Sequence, residues 1–284
     1  MTRRTVHSIA AIPVAAERPT LKTRDVSSHL IGDGMDPFLV TTLFEMRGPT
    51  FPPHPHAGFA VATYILPESA TGFLNQDSTG HFNHITPGSI HATIAGSGVV
   101  HEETNEVAGT LARGFQIWLN VPAAKKHTAP TAVTLEAADV PVVIRDGATI
   151  RVLAGGSNGA VAPIDLPTAA RIVDVTLVPG GRFRQGLTRT EQAFLWVISG
   201  TLSIEGDMAA GFEAVRIATD GDELFVEAGD QGARFVLFAG EPIGEPVVMS
   251  GPFVGSSRQD VDGFMAAYRA GRMGQLTPFK QQAA

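Results

Sequence analysis

Residues 51–64 read FPPHPHAGFAVATY, and this stretch changes character at Gly58. Prolines 52, 53 and 55 hold the chain extended, and apolar, β-branched and aromatic residues then follow, as in a buried strand. Side chains two apart leave the same face of a strand, so His54 and His56 point one way. Two neutral imidazoles converging on one point suggest a metal.

Similar short runs recur along the chain. FLVTTLFEM (38–46), GFAVATYIL (58–66), SIHATIA (89–95), GFQIWLNV (114–121), ATIRVLAG (148–155), ARIVDVTLV (170–178), AFLWVISGTLSIEG (193–206), AVRIAT (214–219), ELFVEA (223–228) and ARFVLFAG (233–240) each read as a strand. Turn residues such as Thr86-Pro87-Gly88, Gly96-Ser97-Gly98 and Val178-Pro179-Gly180 separate them. That spacing predicts a β-sandwich or barrel, an all-β fold.

The 284 residues suit one large or two ordinary domains. Residues 123–141, AAKKHTAPTAVTLEAADVP, lack sustained strand alternation and read as a linker, which places a boundary near residue 135. Strands of similar number and spacing lie on both sides, so the simplest account is two like β-domains, 1–135 and 136–284. SSRQDVDGFMAAYRAGRM (256–273) is the one convincing helix, with a capping box at Ser257 and Asp260. Val261, Phe264, Met265 and Tyr268 fall on one face and are expected to dock this tail onto the core.

Composition closes off several functions. With no cysteine, disulfides, thiolate metal sites, iron–sulfur clusters and a cysteine nucleophile are excluded, so any metal must use His, Asp or Glu. A formal net charge of −7 repels phosphate backbones, and Lys125-Lys126-His127 reads as a solvated loop, so direct nucleic-acid binding is not expected. The first residues make a poor signal peptide, and no stretch reaches the roughly 18 apolar residues of a membrane span. A cytoplasmic location, away from the membrane, is expected.

All nine histidines, at 7, 29, 54, 56, 81, 84, 91, 101 and 127, fall before the boundary at 135. The two halves are thus expected to differ in chemistry. In SGVVHEETN (97–105), His101 and Glu103 share a strand face while Glu102 points away. If this strand packs beside His54 and His56, three imidazoles and one carboxylate converge, leaving one or two open positions on a five- or six-coordinate metal. Such donors suit Fe(II), Mn, Ni, Cu or Zn, and the open positions would take a substrate oxygen and dioxygen. His81, His84 and His91 are read as exposed hairpin residues or as pocket residues supporting a ligand, and His7, His29 and His127 as surface residues.

HPHAGFAVATYIL, DSTG (77–80), TPGSIHATIAGSGVVHEE (86–103), GFQIWLNVP (114–122) and FAGEPIGEPVVMSGPFVGSSRQDVDGFMAAYRAGRMG (238–274) together resemble the pirin family of bicupins, in order and over nearly the whole chain. The resemblance implies two tandem cupin barrels of the jelly-roll type and a short C-terminal helix. It also implies iron held in the first barrel by His54, His56, His101 and Glu103, and a second barrel without metal, where GLTRT (186–190) stands near the position of H-P-H. Ala57 and Ala60 depart from the family's usual basic residue and glutamate, and neither is an implied ligand.

The family resemblance implies two alternative functions. The favoured reading is an Fe(II)-dependent dioxygenase of the quercetin 2,3-dioxygenase type, cleaving a flavonol or similar small aromatic with O2. There Glu103 would shift from ligand to general base. The alternative is an iron-dependent, redox-responsive binding module whose protein partner is a transcription regulator.

Overall fold

The computed structural model describes residues 2–48 and 51–279. The chain divides into two compact units, and neither is continuous in sequence. The first contains Val14–Arg24, Thr41–Ala138 and Ile243–Ala284; the second contains Met1–Pro13, Asp25–Val40 and Asp139–Pro242. The change of unit after Ala138 falls close to the expected residue 135, but both chain ends cross over. His7 and His29 therefore belong to the second unit, and the C-terminal helix belongs to the first. Nothing in the local sequence marks this exchange, because strand pairing over long separations decides it.

The first unit is built from two sheets. In the seven-stranded sheet the order is Thr131–Leu135, Ile90–Ile94, Phe59–Ile65, Ala112–Asn120, Phe38–Met46, Leu21–Ser27 and Val14–Arg18. The apolar run after the histidines forms its middle: all seven residues of Phe59–Ile65 are buried. A strand covered on both faces reads as a continuous apolar run, and each large side chain so buried contributes about 1.5–3 kcal/mol. Thr131–Leu135, expected as linker, pairs instead with Ile90–Ile94 and closes the edge of this sheet.

The four-stranded sheet runs His54–His56, Val99–Asn105, Phe73–Asp77 and Phe82–Ile85. His54–His56 is its edge strand, which explains how Pro55, having no N–H to give to a ladder, is tolerated there.

In the second unit a nine-stranded sheet carries the long strands Gln192–Ile204 and Glu223–Gly240, the latter uniting two runs that the sequence suggested as separate strands. The Val6–Ala11 strand pairs with Glu213–Ile217. Arg4, fully buried, fixes this N-terminal arm by donating to the carbonyls of Gly221, Glu191 and Thr188 at 3.1, 2.7 and 2.5 Å.

The C-terminal helix runs Arg258–Arg269, four residues shorter at its end than the 256–273 expected. Its capping box is formed: Ser257 Oγ accepts from the Asp260 N–H, and Asp260 accepts from the Ser257 N–H. Val261 and Phe264 are buried with Ala57, Val100, Phe253 and Met273, whereas Tyr268 is largely exposed. No helix among the described residues is long and apolar enough to cross a membrane.

Candidate metal centre

Strand register brings the first two sequence clusters together. Val99–Asn105 runs antiparallel to His54–His56 with His101 opposite His54 and Val99 opposite His56. His54, His56 and His101 therefore leave one face of the sheet, while Pro55 and Val100 leave the other. Their ring centroids form a nearly equilateral triangle, 4.8, 4.6 and 4.7 Å on a side. One ring nitrogen from each lies within 4.8 Å of the other two, the one such group of three potential ligands among the described residues.

The donor chemistry fits a cation. His54 Nδ1 donates to the Pro52 carbonyl at 2.9 Å, which leaves Nε2 as a lone pair directed to the cluster. That Nε2 lies 3.1 Å from Nε2 of His101. Both ring nitrogens of His56 and Nδ1 of His101 are buried without a hydrogen-bond partner among the described residues. The Pro252 carbonyl lies near the His56 ring but outside hydrogen-bond geometry. An unsatisfied buried polar group costs about 1–3 kcal/mol, so packing alone would not favour the two rings that carry them; a divalent ion between the three rings would satisfy nitrogens that point to it.

Burial lowers the pKa of all three rings. For His56 and His101 the shift is well below the ordinary value, through desolvation first and mutual repulsion second. His54, which keeps some exposure and its bond to Pro52, shifts less far. All three are thus held as neutral imidazoles, the ligand form, at neutral pH.

Glu103 stands on the same strand face as His101 but outside the 4.8 Å group. Its Oε2 accepts from Thr63 Oγ1 at 2.9 Å, and desolvation pushes its pKa up to about 7, with the Thr63 bond opposing. Glu102 points away, as expected, accepting from Gln76 Nε2 and the Phe279 N–H. Glu103 and His54 line a small cavity of about 50 Å³ together with Phe44, Met46, Phe51 and Gln116. Phe51, half exposed, lies 6.1 Å from the His54 ring, and Phe44 stacks on Phe73 at 5.2 Å.

The remaining histidines divide sharply. His7, His29, His81, His84 and His127 are exposed. His91 is buried: Asn75 donates to its Nε2 at 3.2 Å, and its Nδ1 donates to Thr134 Oγ1 at 2.8 Å. Burial, reinforced by His81, lowers its pKa to about 4.

Two residues that matter here carried no usable sequence signal. Thr63 resembles any strand threonine. Lys126, expected in a solvated loop, is fully buried instead and donates to the Gly58 carbonyl at 2.9 Å and to Asn120 Oδ1 at 2.6 Å. Desolvation brings its pKa down to about 8.

Two cupin units, one with three converging imidazoles, define a bicupin with a candidate metal centre in one unit. Sequence comparison identifies the family. The pirin profile matches residues 11–119 and the pirin C-terminal cupin domain profile matches residues 172–274. The chain is 34% identical over 234 residues to Pirin-1 of Arabidopsis thaliana, covering 80% of each chain. It is 32% identical over 249 residues to a Pseudomonas aeruginosa protein provisionally named a quercetin 2,3-dioxygenase, covering 83% of this chain and 86% of that one. A crystal structure of quercetin 2,3-dioxygenase from Acinetobacter baumannii has the same fold, with a TM-score of 0.87 at 22% identity, over 97% of this chain and 100% of that one. The chain belongs to the pirin family.

Proposed function

We propose that this pirin is an Fe(II)-dependent dioxygenase that cleaves a flavonol such as quercetin, with the metal held by His54, His56, His101 and Glu103. The observation that carries the reading is the convergence of three neutral imidazoles, two of them with orphaned nitrogens, on a strand face that also carries Glu103, with His54 and Glu103 lining one small cavity. The name of the Pseudomonas aeruginosa relative supports the substrate class. Bound iron would supply Lewis acidity toward a substrate oxygen and one-electron chemistry toward dioxygen.

The protein's own part is positioning and proton transfer. Phe44, Phe51 and Met46 give the cavity apolar walls suited to a planar aromatic. Thr63 occupies Glu103 Oε2, leaving Oε1 to take the proton of a substrate hydroxyl. Without a metal this carboxyl titrates at about 7, and a bound cation would draw it lower, toward the ionised form that ligates and accepts a proton. The negative chain and the lack of a basic surface cluster fit a small-molecule substrate in the cytoplasm better than a nucleic acid.

Oxygen uptake by Fe(II)-reconstituted protein with quercetin tests this, run beside His101→Ala. Uptake by wild type and none by the variant is expected. Iron-loaded wild type that leaves both quercetin and oxygen unchanged refutes the activity on flavonols and favours an iron-responsive binding module.

A further inference from the structure

Histidine ligands are usually aimed by a hydrogen bond from the ring nitrogen that does not face the metal. His54 has such a bond, to Pro52, but neither nitrogen of His56 has one among the described residues. Apart from the influence of the nearby Pro252 carbonyl, the His56 ring is aimed by its packing and its backbone. Edge-to-face packing against Phe59 and Trp118, with centroids at 5.2 and 5.8 Å, restrains its tilt. Its backbone is restrained through Ala57 and Gly58.

Every main-chain polar group of these two residues is engaged. The Ala57 N–H donates to Pro252 at 3.2 Å and the Ala57 carbonyl accepts from the Val254 N–H at 3.0 Å. The Gly58 N–H donates to Gly96 at 2.8 Å, and the Gly58 carbonyl accepts from Lys126 Nζ at 2.9 Å. Three of these four partners are backbone atoms. The fourth is a lysine side chain that is 1% exposed, an expensive group to bury where two acceptors are its hydrogen-bond partners. A serine or a water could satisfy one carbonyl at far lower cost; a long side chain anchored at Asn120 fixes where that carbonyl sits.

We infer that Lys126 is a positioning residue for the metal centre: by pinning the Gly58 carbonyl it fixes the turn that aims His56 at the site shared with His54 and His101. The inference rests on the metal reading of the three histidines and adds a residue outside the ligand set.

The test compares wild type, Lys126→Met and Lys126→Arg in full-length protein loaded with Co(II), reading the dissociation constant by chelator competition and the visible ligand-field spectrum. Lys126→Met removes the donors at similar volume and is expected to weaken Co(II) binding about 10–100-fold and alter the spectrum, the range found for residues that orient metal ligands. Lys126→Arg, which keeps N–H donors, is expected to recover most of the affinity. A Lys126→Met protein that melts earlier yet keeps wild-type affinity and spectrum has lost only a structural bond, and that result overturns the proposal. If Lys126→Met does not fold, Lys126→Gln is read in its place by the same two criteria. Wild type that binds no Co(II) overturns the metal centre and this proposal together, whereas unaltered Co(II) binding by the variants overturns this proposal alone.

Discussion

Replacing Glu103 by glutamine exposes the thermodynamic cost of the site. Glu103 is buried, and its carboxyl titrates at about 7 in place of 4.5 in the unfolded chain. A raised acid pKa means that the folded protein holds the proton more tightly. The associated stability is fully present below pH 4.5 and is lost as pH rises through 7. With those two values, ionising Glu103 destabilises the metal-free fold by about 1 kcal/mol at pH 5 and about 3 kcal/mol at pH 8, a difference of about 2 kcal/mol. Glutamine keeps an acceptor for Thr63 and never ionises. Chelator-treated Glu103→Gln is therefore expected to gain about 2 kcal/mol more over wild type at pH 8 than at pH 5. The chain has two tryptophans, and Trp118 packs 5.8 Å from His56, so urea unfolding followed by fluorescence in a Trp196→Phe background reports on this unit. An advantage of the same size at both pH values would refute the claim that the carboxyl is held in a desolvated site.

The same geometry sets two further outcomes. A Cβ at position 58 would meet the Val254 carbonyl at 1.9 Å, on a backbone with φ of 81°, so Gly58→Ala is expected to cost at least about 2 kcal/mol in the same unfolding assay. At pH 6 Glu103 still carries most of its proton, while burial lowers the pKa of the three clustered imidazoles, so if all four groups coordinate, Glu103 itself contributes about one proton per metal. Calorimetry in buffers of different ionisation enthalpy measures that number; release unchanged in Glu103→Gln would show that Glu103 is not a ligand.

The legible parts of the fold were those where burial left an apolar record. Phe38–Met46 and Phe59–Ile65 stand in the sequence almost residue for residue, because both are covered by packing. Strands with polar outer faces left no such record: Leu21–Ser27 reads LKTRDVS, and Phe73–Asp77 comes after the turn-like PESATG. The pairing of His54 and His56 on one face was legible because spacing of two on a strand is a local property. Which strand lies beside them is not local, and neither is the fate of Lys126. Lys125 and Lys126 are chemically identical neighbours, yet one is exposed and the other buried, and the acceptors that explain the difference are Asn120 Oδ1 and the carbonyl of Gly58, 68 residues back in the chain.

The two units of this bicupin handle their buried charges differently. In the second unit Arg234 grips Asp174 with two bonds of 3.1 and 2.8 Å, and Arg4 satisfies three carbonyls. In the first unit one strand face gathers unfinished groups, with orphaned nitrogens on His56 and His101 and a carboxyl pushed toward neutrality. Both units are cupin folds, so the fold does not force the difference. Closing the first site with apolar residues would remove several kcal/mol of desolvation penalty without altering a strand. The unfinished groups share one sheet face, and a cation would satisfy them together. Selection for stability alone would not assemble that combination, and selection for a bound metal would.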